Sequence, residues 1–247
     1  MRVDNTYYQT LWLKDRETVQ AIDQRTLPFE FKIIDLKTLE DAHDAIKNMI
    51  VRGAPLIGVT ASYGIYLALV NADESSWKKN LERASETLKS ARPTAVNLTY
   101  AVDQQLTELV QMGNLKNALL KSEEIASALW QNEKENCRKI GLFGLPLIES
   151  LSEKKNGKPV NILTHCNAGW LACIDYGTAT SPIYQAYDKG ISVHVWVDET
   201  RPRNQGARLT AWELEKHGVP YTVIADNTGG LLMQKGIAPA FADVEYS

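Results

Sequence analysis

The sequence predicts an α/β protein in two parts: a mostly helical N-terminal domain over residues 1–151, then a parallel-sheet domain over residues 152–247. Three observations predict it. Apolar residues recur at helical spacing along much of the chain after Thr38. A polar connector, SEKKNGKP at 152–159, then interrupts the pattern. Beyond it, short β-branched runs alternate with helical stretches over short connections, which implies parallel strands and right-handed crossovers.

The elements follow in order. Tyr7–Leu13 and Phe29–Ile34 alternate or cluster aromatic and β-branched residues and read as short extended pieces. Leu39, Ala42, Ala45, Ile46 and Met49 then mark one helix face, with Thr38 as its N-cap. Gly53 and Pro55 break that helix, and a second, largely buried one runs on to about residue 71. Its small residues Gly58, Ala61 and Gly64 permit close packing. An amphipathic helix is expected over Ser75–Lys89, another helix over Asn97–Met112 and a long one over roughly Leu115–Gly141. Past the connector, Val160–Thr164, Ser192–Val197 and Tyr221–Ala225 read as strands. Asp175–Lys189, Gly206–His217 and a short piece ending at Lys235 read as helices. Ligand-handling groups of such sheets gather in loops at the carboxyl ends of the strands. The candidate loops are 164–170 (THCNAGW), 198–206 (DETRPRNQG) and 226–230 (DNTGG).

Composition narrows the class of function. Apolar residues make up 44% and charged residues 23%, ordinary values for a globular protein. A net charge of −3 gives no global basic field, so neither nucleic acid nor a membrane surface is an expected partner. The N-terminal stretch lacks the pattern of a secretory signal, and no apolar run reaches the length of a membrane span. A cytoplasmic protein is expected. The three cysteines, Cys137, Cys166 and Cys173, are too few for a disulfide framework. With no CxxC pair and four scattered histidines, no zinc site is expected.

Cys166 sits in a strand-to-loop turn between His165 and Asn167, where a following helix N-terminus would favour thiolate. The competing account is a small buried hydrophobe. Arg201, Arg203 and Arg208 surround Gln205 and Gly206. Their forks suit phosphate or carboxylate, and equally surface pairs with Asp198 or Glu199. Arg52-Gly53-Ala54 and Arg92-Pro93-Thr94 each put a cation at a helix junction, with Thr94 able to cap. Either motif is an anion site or a helix break with a solvated arginine. Thr228-Gly229-Gly230 lacks the P-loop lysine and does not match GxGxxG.

Five segments, VRGAPLIGVTASYG, ARPTAVNLTYAVD, ILTHCNAGWLACIDYGTA, VHVWVDETRPRNQGARLTAWEL and VIADNTGGLLMQKG, cover most of residues 40–236. Together they resemble the methylthioribose-1-phosphate isomerase family, whose superfamily includes regulatory subunits of a translation-initiation exchange factor. The resemblance implies a helical domain, a Rossmann-like domain and a homodimer. It also implies conversion of 5-methylthioribose 1-phosphate to 5-methylthioribulose 1-phosphate in methionine salvage, with no metal or organic cofactor. Carried over, Cys166 is the catalytic thiol. Arg52, Gly53 and Ala54 bind the substrate, and Arg92 and Gln205 complete the phosphate and sugar contacts. The chemistry suits these residue types: carbon 1 is locked by its phosphate, so the ring must be opened and hydrogen moved from carbon 2 to carbon 1.

One stretch departs from the family pattern. There, a strand reading valine-isoleucine-valine-glycine-alanine-aspartate-arginine follows the last helix and supplies the acid that partners the thiol. Here Lys235-Gly236 leads into IAPAFADVEYS, a poor central strand, with Asp243 and Glu245 the nearest carboxylates. The expectation is a C-terminally truncated family member with an incomplete sheet and impaired turnover. The alternatives are a non-catalytic sugar-phosphate-binding regulatory protein, or an isomerase of another aldose 1-phosphate such as ribose 1,5-bisphosphate.

Overall fold

The computed structural model describes residues 1–237 and the backbone of 240–242, so Pro239, Asp243 and Glu245 lie outside the described residues. The chain divides into two compact units. One, the helical unit, comprises Thr10–Thr26 and Glu30–Glu133. The other, the sheet unit, comprises Met1–Gln9, Leu27–Phe29 and the chain from Lys134 on. The sheet unit opens with a tight hairpin, β1 (Arg2–Val3) and β2 (Thr6–Tyr7).

The helical unit begins with an antiparallel sheet in the order β3 (Leu11–Asp15), β4 (Thr18–Ile22), β5 (Ile33–Leu36). β4 was not anticipated, and β5 lies later than the expected Phe29–Ile34. α1 (Leu39–Lys47) starts as expected. Thr38 Oγ1 accepts the Asp41 N–H, and the Asp41 carboxylate accepts the Thr38 N–H in return, a capping box.

α2 (Ala54–Val70) is apolar on every side, so it can only be a central helix. It packs against α1, α3 (Trp77–Ala91) and α4 (Val96–Leu109). Gly64 makes this possible: a Cβ there would sit 3.0 Å from both Ala42 Cβ and a Leu88 methyl. Buried Gln105 pins the bundle, its amide donating to Ser62 Oγ at 2.9 Å and to the Ser122 carbonyl at 3.1 Å.

α5 (Leu115–Lys154) runs well beyond the expected end at Gly141 and through Pro146. The reason is tertiary. A Cβ on Gly141 would fall 2.0 Å from Gln185 Nε2, and one on Gly144 2.5 Å from Pro182 Cγ. Those glycines mark where another helix lies against α5, and they do not end it.

The sheet of the second unit is parallel throughout, in the order β8 (Tyr221–Ile224), β7 (Val193–Asp198), β6 (Val160–Thr164), β9 (Ala240–Ala242). The expected α/β class and three of its strands are observed. The segment read as a poor central strand contributes three residues at an edge of the described sheet, beside β6. Between β6 and β7 the expected Asp175–Lys189 helix shrinks to α6 (Ser181–Asp188), preceded by a 3-10 turn at Trp170–Ala172. Positive φ at Tyr176 (63°) and Gly177 (80°) forbids helix there. After β7 comes a π-helical turn at Gly206–Thr210, which runs into α7 (Ala211–His217); α8 (Thr228–Gln234) follows β8. Among the described residues no helix is long and apolar enough to cross a membrane.

Candidate active site

The three loops singled out in the sequence all leave the carboxyl ends of adjacent parallel strands, β6, β7 and β8. Cys166 stands two residues beyond β6, half-buried, in the left-handed region at φ 60°. Non-glycine residues adopt this conformation only where their surroundings impose it. Here two threonine hydroxyls do so. The Cys166 N–H donates to Thr200 Oγ1 at 2.7 Å, and the Cys166 carbonyl accepts from Thr210 Oγ1 at 2.7 Å.

The sequence leaves open whether a helix N-terminus serves the thiol, and no regular α-helix begins directly after it. The element after Cys166 is a single 3-10 turn, and its Trp170 and Leu171 N–H groups donate to the Glu213 carboxylate at 3.0 Å each. Glu213 is fully buried and also accepts from Asn167 Nδ2 at 2.8 Å and the Tyr184 hydroxyl at 2.9 Å. Burial pushes its carboxyl above the usual range, against the pull of these donors.

Beside this loop, His165 Nδ1 lies 3.0 Å from Asp198 Oδ2. Burial raises the Asp198 carboxyl. The His165 contact opposes that rise, and the nearby Asp226 charge adds to it. Asp226 grips the β7 loop with both oxygens, accepting the N–H of Thr200 at 2.7 Å and of Arg201 at 2.9 Å. The ligating atoms of His165, Asp198 and Asp226 lie within 4.8 Å of one another. The sequence, with its scattered histidines, did not foresee this group. Since Asp226 spends both oxygens on backbone N–H groups, the trio reads as a hydrogen-bonded network. Arg208 donates to the Leu27 carbonyl at 2.9 Å through Nη2, and Asp198 is paired with His165. Gln205 stands half-buried immediately before the π-turn.

The remaining predicted residues belong to the helical unit. Arg52 is 6% exposed and precedes Gly53, which takes φ 92° as the N-cap of α2. Ala54 is the exposed first residue of that helix. No side chain of the N-cap residue caps α2, so its first N–H groups suit an anion. Arg92 is half-buried between α3 and α4. The N-cap of α4 is Ala95 rather than Thr94, again without a capping side chain. A Cβ on Gly58 would lie 3.0 Å from the Asn97 carbonyl oxygen, so the second turn of α2 touches the first turn of α4. The two arginine-bearing junctions therefore lead into neighbouring helix N-termini.

The model of the initiation factor 2 subunit family matches residues 50–242. The chain belongs to that family. Among curated relatives it is similar to the methylthioribose-1-phosphate isomerase of Desulfatibacillum aliphaticivorans, with 53% identity over 96% of this chain and 65% of that protein. The protein of the same name from Rhodospirillum centenum is 52% identical over 96% of this chain and 62% of its own length. The chain thus spans less than two thirds of these relatives. Two solved structures share the fold at 34% identity. They are the translation initiation factor eIF-2B subunit delta of A. fulgidus, at a TM-score of 0.83 over 95% of this chain and 67% of that one, and the 5-methylthioribose 1-phosphate isomerase of Pyrococcus horikoshii OT3, at 0.80 over 96% and 65%.

Proposed function

We propose that the chain is an aldose–ketose isomerase that converts 5-methylthioribose 1-phosphate to 5-methylthioribulose 1-phosphate in methionine salvage. The observation that carries the reading is the held backbone of Cys166 at the mouth of a parallel sheet, in a chain just over half identical to proteins bearing that name. A thiol restrained in this way is preorganised for proton or hydrogen transfer at a bound sugar.

In this reading Cys166 handles the hydrogen that leaves carbon 2 for carbon 1, once the ring oxygen has been protonated and the ring opened. The two carbons exchange oxidation levels, so the reaction has no net redox change and needs no cofactor. Arg52 and Arg92, with the open first turns that follow Gly53 and Ala95, supply cation and N–H donors for the phosphate. Gly53 and Ala54 leave the backbone accessible there, and Gln205 supplies an amide for the sugar hydroxyls. A homodimer in the cytoplasm is the proposed state.

Proton NMR of the chain with the aldose phosphate tests the reading. Ketose should accumulate and should vanish in Cys166→Ala. Arg52→Ala should weaken saturation by the substrate and slow its protection of Cys166 against iodoacetamide. Turnover that survives Cys166→Ala refutes the role of the thiol. An aldose phosphate that is neither converted nor protective refutes the activity.

A further inference from the structure

The conformation at Cys166 is imposed by a residue that carries unusual strain of its own. Thr200 is buried and adopts φ 61°, a left-handed conformation that a β-branched residue reaches only when its neighbours force it. The forcing group is visible. Asp226, just beyond β8, takes the Thr200 and Arg201 N–H groups on its two carboxylate oxygens at 2.7 and 2.9 Å. Two consecutive N–H groups aimed at one carboxylate fix the local backbone. Thr200 Oγ1 is then fixed as well, donating to the Asp198 carbonyl at 3.1 Å while accepting the Cys166 N–H at 2.7 Å.

We propose that Thr200 is the positioning residue for the Cys166 thiol and that Asp226 is its buttress, a relay across the loops of β8, β7 and β6. The inference rests on the isomerase reading for what the thiol does, but not for how it is held. Thr210 grips the Cys166 carbonyl from the π-turn, and Thr200 takes the N–H side. A purely structural threonine in a loop would need neither the left-handed backbone nor a hydroxyl aimed at the residue that carries the thiol.

The test compares Thr200→Val, which keeps shape and loses the hydroxyl, with Thr200→Ser, which keeps the hydroxyl, and with Asp226→Asn. Two readouts are taken on the full chain. In turnover, Thr200→Val should lower kcat by roughly tenfold to a hundredfold, the scale of a small misplacement of a reacting group. KM should stay within about twofold, and serine should restore kcat to within about threefold of the parent. In iodoacetamide labelling followed by intact mass, the loosened Cys166 should react about fivefold faster in the valine and asparagine variants. Cys137 and Cys173, both buried, should stay unlabelled and so report that the fold is intact.

A valine variant with unchanged kcat and unchanged labelling overturns the proposal. So does a serine variant as poor as valine, or labelling that spreads to Cys137 and Cys173. The labelling arm needs no turnover, so a failure of the isomerase reading, seen as activity in Cys166→Ala, is distinguishable from a failure of the relay.

Discussion

Asn167 and Glu213 meet side chain to side chain at 2.8 Å, and neither is exposed to solvent. The pair ties the loop after β6 to α7. It shows that the residues around Cys166 are ordered by buried polar bonds whose partners are remote in sequence.

Replacing Glu213 by Gln tests how much of the loop that carboxylate holds. All four of its partners are donors, so an amide NH2 must face at least one of them and leave buried donors unmatched. The expected loss is about 3 kcal/mol in urea unfolding, the scale for breaking hydrogen bonds to a buried charged group. A loss below about 1 kcal/mol would show that the loop does not depend on Glu213.

Gly206 is required by space. A Cβ there would lie 1.8 Å from the Asp198 carbonyl oxygen and 3.1 Å from Thr200 Oγ1. The first of these is backbone and cannot rotate away. Gly206→Ala should therefore cost about 3 kcal/mol or more, at the upper end for overpacking. A thermal melt that matches the parent would contradict the packing described.

The acid side of the stability profile should carry a signature of Asp198. Burial holds its carboxyl above the ordinary value of 3.8 in the fold, so the native state binds this proton more tightly than the unfolded chain. Its contribution is fully present below pH 3.8 and is lost as the pH rises through the raised folded value. In Asp198→Asn that pH dependence disappears. The difference in unfolding free energy should drift in favour of Asn as the pH rises through this window, by about 1.4 kcal/mol per unit of separation between the two pKa values. Urea titrations at stepped pH check it, and a drift of opposite sign would refute it.

The three cysteines should separate cleanly. Cys137 is 1% exposed and Cys173 0%, packed with Ala172 and Tyr176, whereas Cys166 is half-buried in its loop. A disulfide reagent should titrate one thiol in the native chain and three in denaturant. Two or more native thiols would mean that the Cys137–Cys173 cluster opens readily.

Much of this architecture was legible in the chain itself. Thr38 ahead of apolar residues at helical spacing predicts a helix start, and α1 starts there, with a capping box that Asp41 completes. The uninterrupted apolar run after Pro55 predicts a buried helix, and α2 is one. The misreadings share a cause. Gly141 reads locally as a helix end, yet α5 passes through it, with Gln185 and Ser181 in the space where a side chain would stand and Pro182 in the same position at Gly144. The segment from Asp175 was read as helix, yet its backbone turns left-handed at Tyr176 and Gly177. The Thr38 signal is local, whereas the packing around Gly141 lies beyond any local window.

The site divides along the same line. The motif stretches contained Cys166, Thr200, Gln205, Thr210, Glu213 and Asp226, but singled out only Cys166 and Gln205, which resemblance could assign. Hydrogen-bond partners such as Thr200 and Thr210 stand 34 and 44 residues from Cys166, and nothing in a one-dimensional pattern links them.

The sequence by itself determined the start of α1, the buried α2, the strands β6, β7 and β8 and the loops that gather at their ends, because periodicity, capping and turn chemistry act between neighbours. Only the tertiary structure decided the left-handed turn at Cys166, the grip of Asp226 on Thr200 and the burial of Glu213. Each of those depends on hydrogen bonds that form only after β6, β7 and β8 lie side by side in register, with α7 packed against their unit.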